Sequence, residues 1–266
     1  MSKKKESLLW QFRKDNESRT HYILGTMHVK SEEAYTPVSI AKHYMELCHT
    51  YVGEMDLNDP ELSNIGDYFL NEDGLGLEEL IGEKKYKKYS AIILKAFDID
   101  LGEIAHYKPL VISNMIAESI ITKKYDVALD HFLWEYAQAI GMEMRGLESA
   151  NDQFQIMQSI PMESQLKGLK SCVKNVSSFR SKVLKMSEFY AEGELTELYQ
   201  SAKKSMGELR ELMIYDRNAK MTEGLIEIAT NGATFAAIGA AHLGGAKGML
   251  RGLKNAGFKI NPIKIN

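Results

Sequence analysis

A short motif, Gly-x-x-His, occurs twice in this sequence, once near each end of the chain. The first copy begins at Gly25 and ends at His28, and the second begins at Gly239 and ends at His242. Each copy closes a run of apolar and β-branched residues that is typical of a strand. A histidine just after a strand of an α/β protein stands at the sheet edge where such proteins bind ligands. Two such histidines could together hold a metal ion, because neutral imidazole is a common metal ligand.

Acidic residues end two further predicted strands. Glu54 lies in the strand predicted from Tyr51 to Leu57, and Glu148 ends the strand predicted from Met142. Either carboxylate could ligate a metal or accept a proton from a metal-bound water. The alternative interpretation is structural, with buried, hydrogen-bonded histidines and with carboxylates that cap helices or bond to loops. The motifs taken alone leave both interpretations open.

The pattern of apolar residues predicts the elements that position these side chains. Strand, helix and strand follow one another between His21 and Leu57, which indicates a βαβ unit. The second half of the chain again supplies a strand with a carboxylate and a strand with a Gly-x-x-His motif. We therefore predict an α/β fold, with a central mixed β-sheet of two βαβ-like halves surrounded by many α-helices.

Helical patterns fill the rest of the chain, at about residues 60–141 and 161–230. The most regular is a single long helix predicted over residues 161–193. The apolar stripe of this helix is compatible with a lid, a dimer interface or a layer of the core. A core layer is the expected role, and the stripe leaves open whether the protein forms a homodimer. We predict one domain over residues 1–266, with the helical segments packed on or over the sheet.

Composition narrows the functional classes. The formal net charge of −3 gives no electrostatic reason to expect a nucleic-acid or membrane-surface partner. The basic N-terminus lacks the apolar segment of a signal peptide, and no apolar run approaches the roughly 18 residues that span a bilayer. We therefore expect a cytoplasmic protein without a membrane segment, unless a leader has been removed. Cys48 and Cys172 are expected to be buried thiols, since two cysteines make no disulfide framework.

Several common catalytic motifs are missing from the sequence. It contains no HExxH, no paired CxxC, no P-loop and no GxSxG. The segment GAAHLGG after Ile238 lacks the GxGxxG spacing of a dinucleotide loop, so a nicotinamide site is rejected.

The ordered set of motifs resembles the TraB/GumN/Tiki family across nearly the whole chain. The matching segments are LGTMHV (24–29), GEMD (53–56), LD (129–130), GLES (146–149), RN (217–218) and IGAAHL (238–243). This resemblance implies an α/β fold related to the erythromycin-esterase and ChaN-like proteins. It also implies that His28, Glu54 and His242 form the metal-binding or catalytic set.

The resemblance further implies an activity. Tiki members are metal-dependent proteases, described with manganese or cobalt, that trim the amino-terminal part of a secreted signalling protein. TraB-type members are linked to the inactivation of peptide pheromones. Arg217 or Asn218 would face the site and stabilise an oxyanion. Glu148 is a further candidate metal ligand, and Asp130 matches the family pattern without a defined role.

The sequence therefore predicts a metal-dependent hydrolase that cleaves peptides or the N-terminal segments of proteins. A divalent ion, for which manganese, cobalt and zinc are all suitable, would be held by His28, His242 and a carboxylate. Glu54 would be either the third ligand or the base. Two alternatives stay open: a non-catalytic protein that binds a peptide or haem through its histidines, and an esterase that uses histidine as its base without a metal.

Overall fold

The computed structural model describes residues 6–15, 17–71 and 74–265, so the basic residues 1–5 lie outside the described part of the chain. Within that part, six strands form one sheet. They are β1 (Leu9–Arg13), β2 (His21–Thr26), β3 (Thr50–Met55), β4 (Glu143–Glu148), β5 (Thr234–Gly239) and β6 (Lys259–Ile263). Their order across the sheet is β4-β3-β5-β2-β1-β6.

The sheet is mixed, which confirms the predicted α/β class. Strands β4, β3, β5 and β2 run parallel to one another, whereas β1 is antiparallel to both of its neighbours. Strand β5 lies between β2 and β3, so the two βαβ-like halves interleave. This order places the two Gly-x-x-His strands, β2 and β5, next to each other and puts β3, which carries Glu54, on the other side of β5.

Helices account for most of the remaining chain. They are α1 (Val38–Met45), α2 (Ile65–Phe69), α3 (Leu77–Ile81), α4 (Glu83–Phe97), α5 (Leu101–Ile104), α6 (Pro109–Ile120), α7 (Leu129–Ala139), α8 (Ala150–Gln158), α9 (Met162–Lys174), α10 (Val176–Ala191), α11 (Leu195–Met206), α12 (Asp216–Ala229), α13 (Ala240–Leu243) and α14 (Met249–Asn255). Short 3₁₀ segments span Pro60–Asn64 and Gly207–Leu209, and a π-helical turn spans Glu211–Tyr215.

The prediction of a single long helix over residues 161–193 is wrong. Helix α9 ends at Lys174 and α10 begins at Val176, because Asn175 adopts φ −148° and ψ 85°. The Asn175 side chain accepts a hydrogen bond from the Ser178 N–H at 2.9 Å, which caps the new helix. The apolar periodicity runs through this break, so spacing alone did not reveal it.

The chain divides into two compact units. The first holds the sheet and comprises the residues up to Asp59, Lys123–Ala150 and Met186 onward; the second comprises Pro60–Thr122 and Asn151–Lys185. Each unit has its own core of buried apolar side chains. The single domain predicted for residues 1–266 stays a prediction.

Close packing of α7 on β3 positions part of the candidate site. A Cβ added to Gly53 would lie 3.0 Å from the ring of Trp134, so the glycine lets the α7 indole approach the strand. Tyr51 meets the same indole edge to face, with ring centroids 5.8 Å apart. The packing therefore holds the first turn of α7, which carries Asp130, against the strand that carries Glu54.

Candidate functional site

The carboxyl ends of the four parallel strands bring the predicted site residues to one edge of the sheet. Glu54 lies in β3 and Glu148 ends β4, while His28 follows β2 and His242 lies in α13 directly after β5. Open α/β sheets bind their ligands at this edge. The shared parallel direction of the strands, set by their pairing, is what assembles these four residues.

Gly239 is the point on which three of these side chains converge. A Cβ added there would lie 3.1 Å from Glu54 Oε2, 3.5 Å from the His242 ring and 3.7 Å from His28 Nε2. The Gly239 N–H also donates to Glu54 Oε2 at 3.0 Å. The glycine at the end of β5 therefore leaves the space into which two imidazoles and a carboxylate point.

Asp130 orients the first histidine. Its Oδ2 lies 2.9 Å from His28 Nδ1, and His28 Nε2 lies 4.0 Å from Glu54 Oε2. Because a carboxylate accepts hydrogen bonds, Nδ1 carries the proton of this contact. Asp130, which the sequence left without a role, thus turns His28 Nε2 toward Glu54.

Asn218 orients the second histidine in a comparable way. His242 Nδ1 lies 2.7 Å from Asn218 Oδ1, and the Asn218 amide donates to the Lys247 carbonyl at 2.8 Å. An amide oxygen only accepts, so His242 donates from Nδ1 and presents Nε2 3.8 Å from Glu54 Oε1. The structure therefore places Asn218 behind His242, with its amide engaged, whereas the sequence prediction put it facing the substrate.

Arg217 joins the two glutamates. It lies in the first turn of α12, just after the π-helical turn, and its Nε donates to Glu148 Oε1 at 2.8 Å. Its Nη2 donates to the other oxygen of Glu148 and to Glu54 Oε1. Its Nη1 lies 3.4 Å from His242 Nε2. Glu148 thus reaches the site, as predicted, but both of its oxygens face the guanidinium.

The electrostatics favour an ionised carboxylate beside a neutral imidazole. Burial would raise the pKa of Glu54, but His242, His28 and Arg217 outweigh it and lower this pKa to about 2. Burial lowers the pKa of His242, which keeps its ring neutral and its Nε2 lone pair available. Partial burial also opposes the charge on His28, but Asp130 and Glu54 raise its pKa to about 9.

The donor set fits a divalent cation. Nitrogen and oxygen ligands at about 2.0–2.2 Å from an ion lie roughly 3.0–3.6 Å from each other. The Nε2 atoms of His28 and His242 lie somewhat farther from the Glu54 oxygens, at 4.0 Å from Oε2 and 3.8 Å from Oε1 respectively. Within the described ranges, no group of three or more His, Cys, Asp or Glu side chains is spaced to hold a metal ion as it stands, so the ligands would have to draw together around one.

Charge balance agrees with this fit. With neutral imidazoles, the site holds three carboxylates, those of Glu54, Glu148 and Asp130, against the one guanidinium of Arg217, which pairs with the two glutamates. Two negative charges are then uncompensated, and a divalent ion would balance them. In the metal-free site the protonation of His28 supplies part of this compensation.

One contact beside the site could not be inferred from the sequence. The buried Tyr190 of α10 donates from its hydroxyl to the Gly25 carbonyl at 2.8 Å, which fixes the first Gly-x-x-His copy. A tyrosine 165 positions away along the chain is not recognisable as a partner from spacing.

Comparisons with known proteins identify the family. A family model described as the TraB/PrgY/gumN family matches residues 8–262, which confirms the resemblance drawn from the motifs. Neither the comparison with curated proteins nor that with solved structures gives a match. Among the described residues, no helix is both long and apolar enough to cross a membrane.

Proposed function

This chain belongs to the TraB/PrgY/gumN family, and we propose that it is a metal-dependent hydrolase that acts on peptides. One observation carries the proposal: each imidazole is held at Nδ1 by a second side chain, and each presents Nε2 to Glu54 around Gly239. Metal-binding histidines are typically oriented in this way by a carboxylate or a carbonyl oxygen. Two unrelated partners, Asp130 and Asn218, serve the same purpose here.

His28 and His242 would hold the ion through Nε2, and Glu54 would hold it through Oε2. A divalent ion held by these residues would polarise a scissile carbonyl and would lower the pKa of its water toward ~7. Glu54 Oε1 is paired with Arg217, whereas Oε2 points toward Gly239 together with the two imidazoles, so the Glu54 carboxylate is better placed to be a ligand than the base.

Arg217 is suited to stabilise negative charge on the substrate. Its Nε and Nη2 donate to the glutamates, whereas the contacts of Nη1 with Met213 O and His242 Nε2 are both long, at 3.4 Å. The Nη1 hydrogens are therefore the ones best placed for a carbonyl oxygen that gains charge. The two glutamates keep the guanidinium in place.

A second candidate function rests on the pair formed by His28 and Asp130. A histidine oriented at Nδ1 by an aspartate is the arrangement of a general base. With 56% of its side chain exposed, His28 could activate a water without a metal, as an esterase would require. Because its pKa is raised to about 9, His28 must first lose a proton, whether it acts as this base or binds an ion through Nε2.

The test is peptide hydrolysis with a quenched-fluorescence library, with manganese, cobalt or zinc added and with a chelator. We expect cleavage that the chelator abolishes and that added metal restores. Glu54→Gln and His242→Ala should each lower the rate by at least about 100-fold. His49→Ala is the matched control, because His49 also pairs with a carboxylate, Glu143, but at the opposite end of the parallel strands.

The other outcomes separate the alternatives. Full activity in metal-free protein would contradict the metal and support the histidine base. If no peptide or ester is turned over but haem addition gives a Soret band, the protein is a binding protein instead.

A further inference from the structure

A cavity of about 270 Å³ opens beside the candidate site, within the unit that holds the sheet. His28, Glu54, Arg217 and His242 line one side of it. Cavities that bind whole small molecules measure about 300–1,000 Å³, so this one is sized for a single large side chain and the peptide group attached to it.

Part of the cavity lining is apolar and rich in methionine. It is formed by Met27, Met186, Leu198 and Met206. Methionine side chains are flexible and polarisable, and they adapt to apolar ligands of different shapes. Against these apolar side chains a charged substrate side chain would lose its hydration without gaining a partner among them, whereas an apolar one would be buried favourably.

Thr26 adds a polar group to this cavity. Thr26 is among the residues that line the cavity, it is only 3% exposed, and among the described residues its buried hydroxyl has no hydrogen-bond partner. Thr26 pairs with Gly239 in the parallel register of β2 and β5, so its side chain lies on the face where the metal-binding candidates converge. An unpaired buried hydroxyl destabilises a fold and needs an explanation.

We propose that Thr26 and the methionine-lined wall form a substrate subsite that takes one large apolar side chain of a peptide and hydrogen-bonds the adjoining peptide group. The hydroxyl can donate to a carbonyl or accept from an amide N–H, so either half of a peptide group satisfies it. This inference rests on the proposed peptide hydrolysis, because it names the substrate class for that site.

Binding can be tested without any hydrolysis. Protein with ¹³C-methyl methionine would be titrated with N-acetyl methylamides of leucine, methionine and glutamate and followed by NMR. We expect the leucine and methionine amides to shift the methyl signals of Met27, Met186 and Met206, and the glutamate amide to leave them in place. Equal shifts with all three amides, or none, would overturn the proposal.

The role of Thr26 is tested by Thr26→Val, which keeps the shape and removes the hydroxyl. We expect it to weaken binding of the leucine amide by about 3- to 10-fold. We also expect its Tm to rise by about 2–4 °C, because an unpaired buried hydroxyl is replaced by a methyl group. Thr26→Ser, which keeps the hydroxyl, should retain most of the affinity.

Thr234→Val is the matched control. Thr234 is also a fully buried strand threonine, but its hydroxyl donates to the Gly232 carbonyl at 3.0 Å. This variant should lower the Tm and leave the affinity for the amide unchanged. Wild-type affinity in Thr26→Val would contradict the subsite, whatever its stability.

The two proposals fail in different ways. If the apolar amides shift the methionine signals but no metal supports peptide cleavage, the subsite stands and the hydrolase proposal fails. If peptides are cleaved without preference for apolar residues and Thr26→Val cleaves them at the wild-type KM, the subsite fails and the hydrolase proposal stands.

Discussion

The side chains behind the two histidines define how those histidines can act. Asp130 holds His28 at Nδ1, and we predict that Asp130→Asn lowers the affinity for a divalent ion by about 10- to 100-fold, the usual effect of losing an orienting partner. The pKa of His28 should also fall from about 9, because the neighbouring charge is lost. Calorimetric metal titration and NMR titration of the ring measure the two effects.

Glu143→Gln provides the comparison for this variant. Glu143 lies at the start of β4, and its Oε2 is 3.7 Å from His49 Nε2. Removing this carboxylate should leave both the metal affinity and the pKa of His28 unchanged. If Asp130→Asn behaves like Glu143→Gln, Asp130 does not orient a ligand.

Arg217 compensates the charges of two buried carboxylates. The side chains of Arg217, Glu54 and Glu148 are 11%, 12% and 6% exposed. We predict that Arg217→Met destabilises the metal-free protein by about 3–5 kcal/mol, since both buried glutamates lose their guanidinium partner. Arg217→Lys should lose less stability, because lysine keeps the positive charge but lacks the forked geometry of the guanidinium. Urea unfolding in the presence of chelator measures this; a loss below about 1 kcal/mol for Arg217→Met would contradict the account.

At the scale of the elements, the end of β5 must leave room for the site. Gly239 has φ −47° and ψ 128°, which alanine also adopts, so Gly239→Ala should fold. Its new Cβ would lie 3.1 Å from Glu54 Oε2 and displace that carboxylate by a few tenths of an ångström. We expect metal affinity to drop by at least about 10-fold, because ligand geometry is sensitive to such shifts. Metal titration of the folded variant measures the change.

Gly25→Ala is the control for this prediction. Gly25 lies in the adjacent strand β2, and its added Cβ would press on Ala240 at 3.1 Å and on Leu243 at 3.3 Å. This variant should lower the Tm and spare the metal affinity. If the two variants lose affinity equally, crowding at the strand ends, and not contact with Glu54, would be the cause.

The elements that carry the site could be predicted from the sequence, because strand and helix periods are local properties. Glu54 and His242 were both predicted at strand ends, and both are found there. The insertion of β5 between β2 and β3 could not be predicted, since strand order depends on pairings between residues far apart in sequence. The partnership of Asn218 with His242 follows from that order and was missed for the same reason.

At the scale of the whole molecule, one buried histidine links stability to pH. His21 is fully buried, stacks on Phe12 with centroids 5.0 Å apart, and has no hydrogen-bond partner among the described residues for either nitrogen. Burial lowers its pKa from 6.5 to about 4. The native state therefore favours neutral His21, and the unfolded chain takes up a proton first as the pH falls.

The sign of this linkage gives a prediction. Neutral His21 contributes about 3 kcal/mol to the free energy of unfolding. This contribution is fully present above pH 6.5, declines as the pH falls below 6.5, and is lost once the pH has fallen through about 4. His21→Phe should therefore lose less stability than the wild type between pH 6.5 and 4. Urea unfolding across this range tests it, and parallel stability curves for the two proteins would show that the buried ring does not matter.

The most direct test of the metal site is a count of the ions that the protein binds. Purified protein would be stripped with chelator, titrated with manganese, cobalt or zinc, desalted and analysed for bound metal per chain. We predict one tightly bound ion in the wild type and in His49→Ala, and its loss in His28→Ala, His242→Ala and Glu54→Gln. Binding that survives all three of these substitutions, or no binding in the wild type, would contradict this prediction.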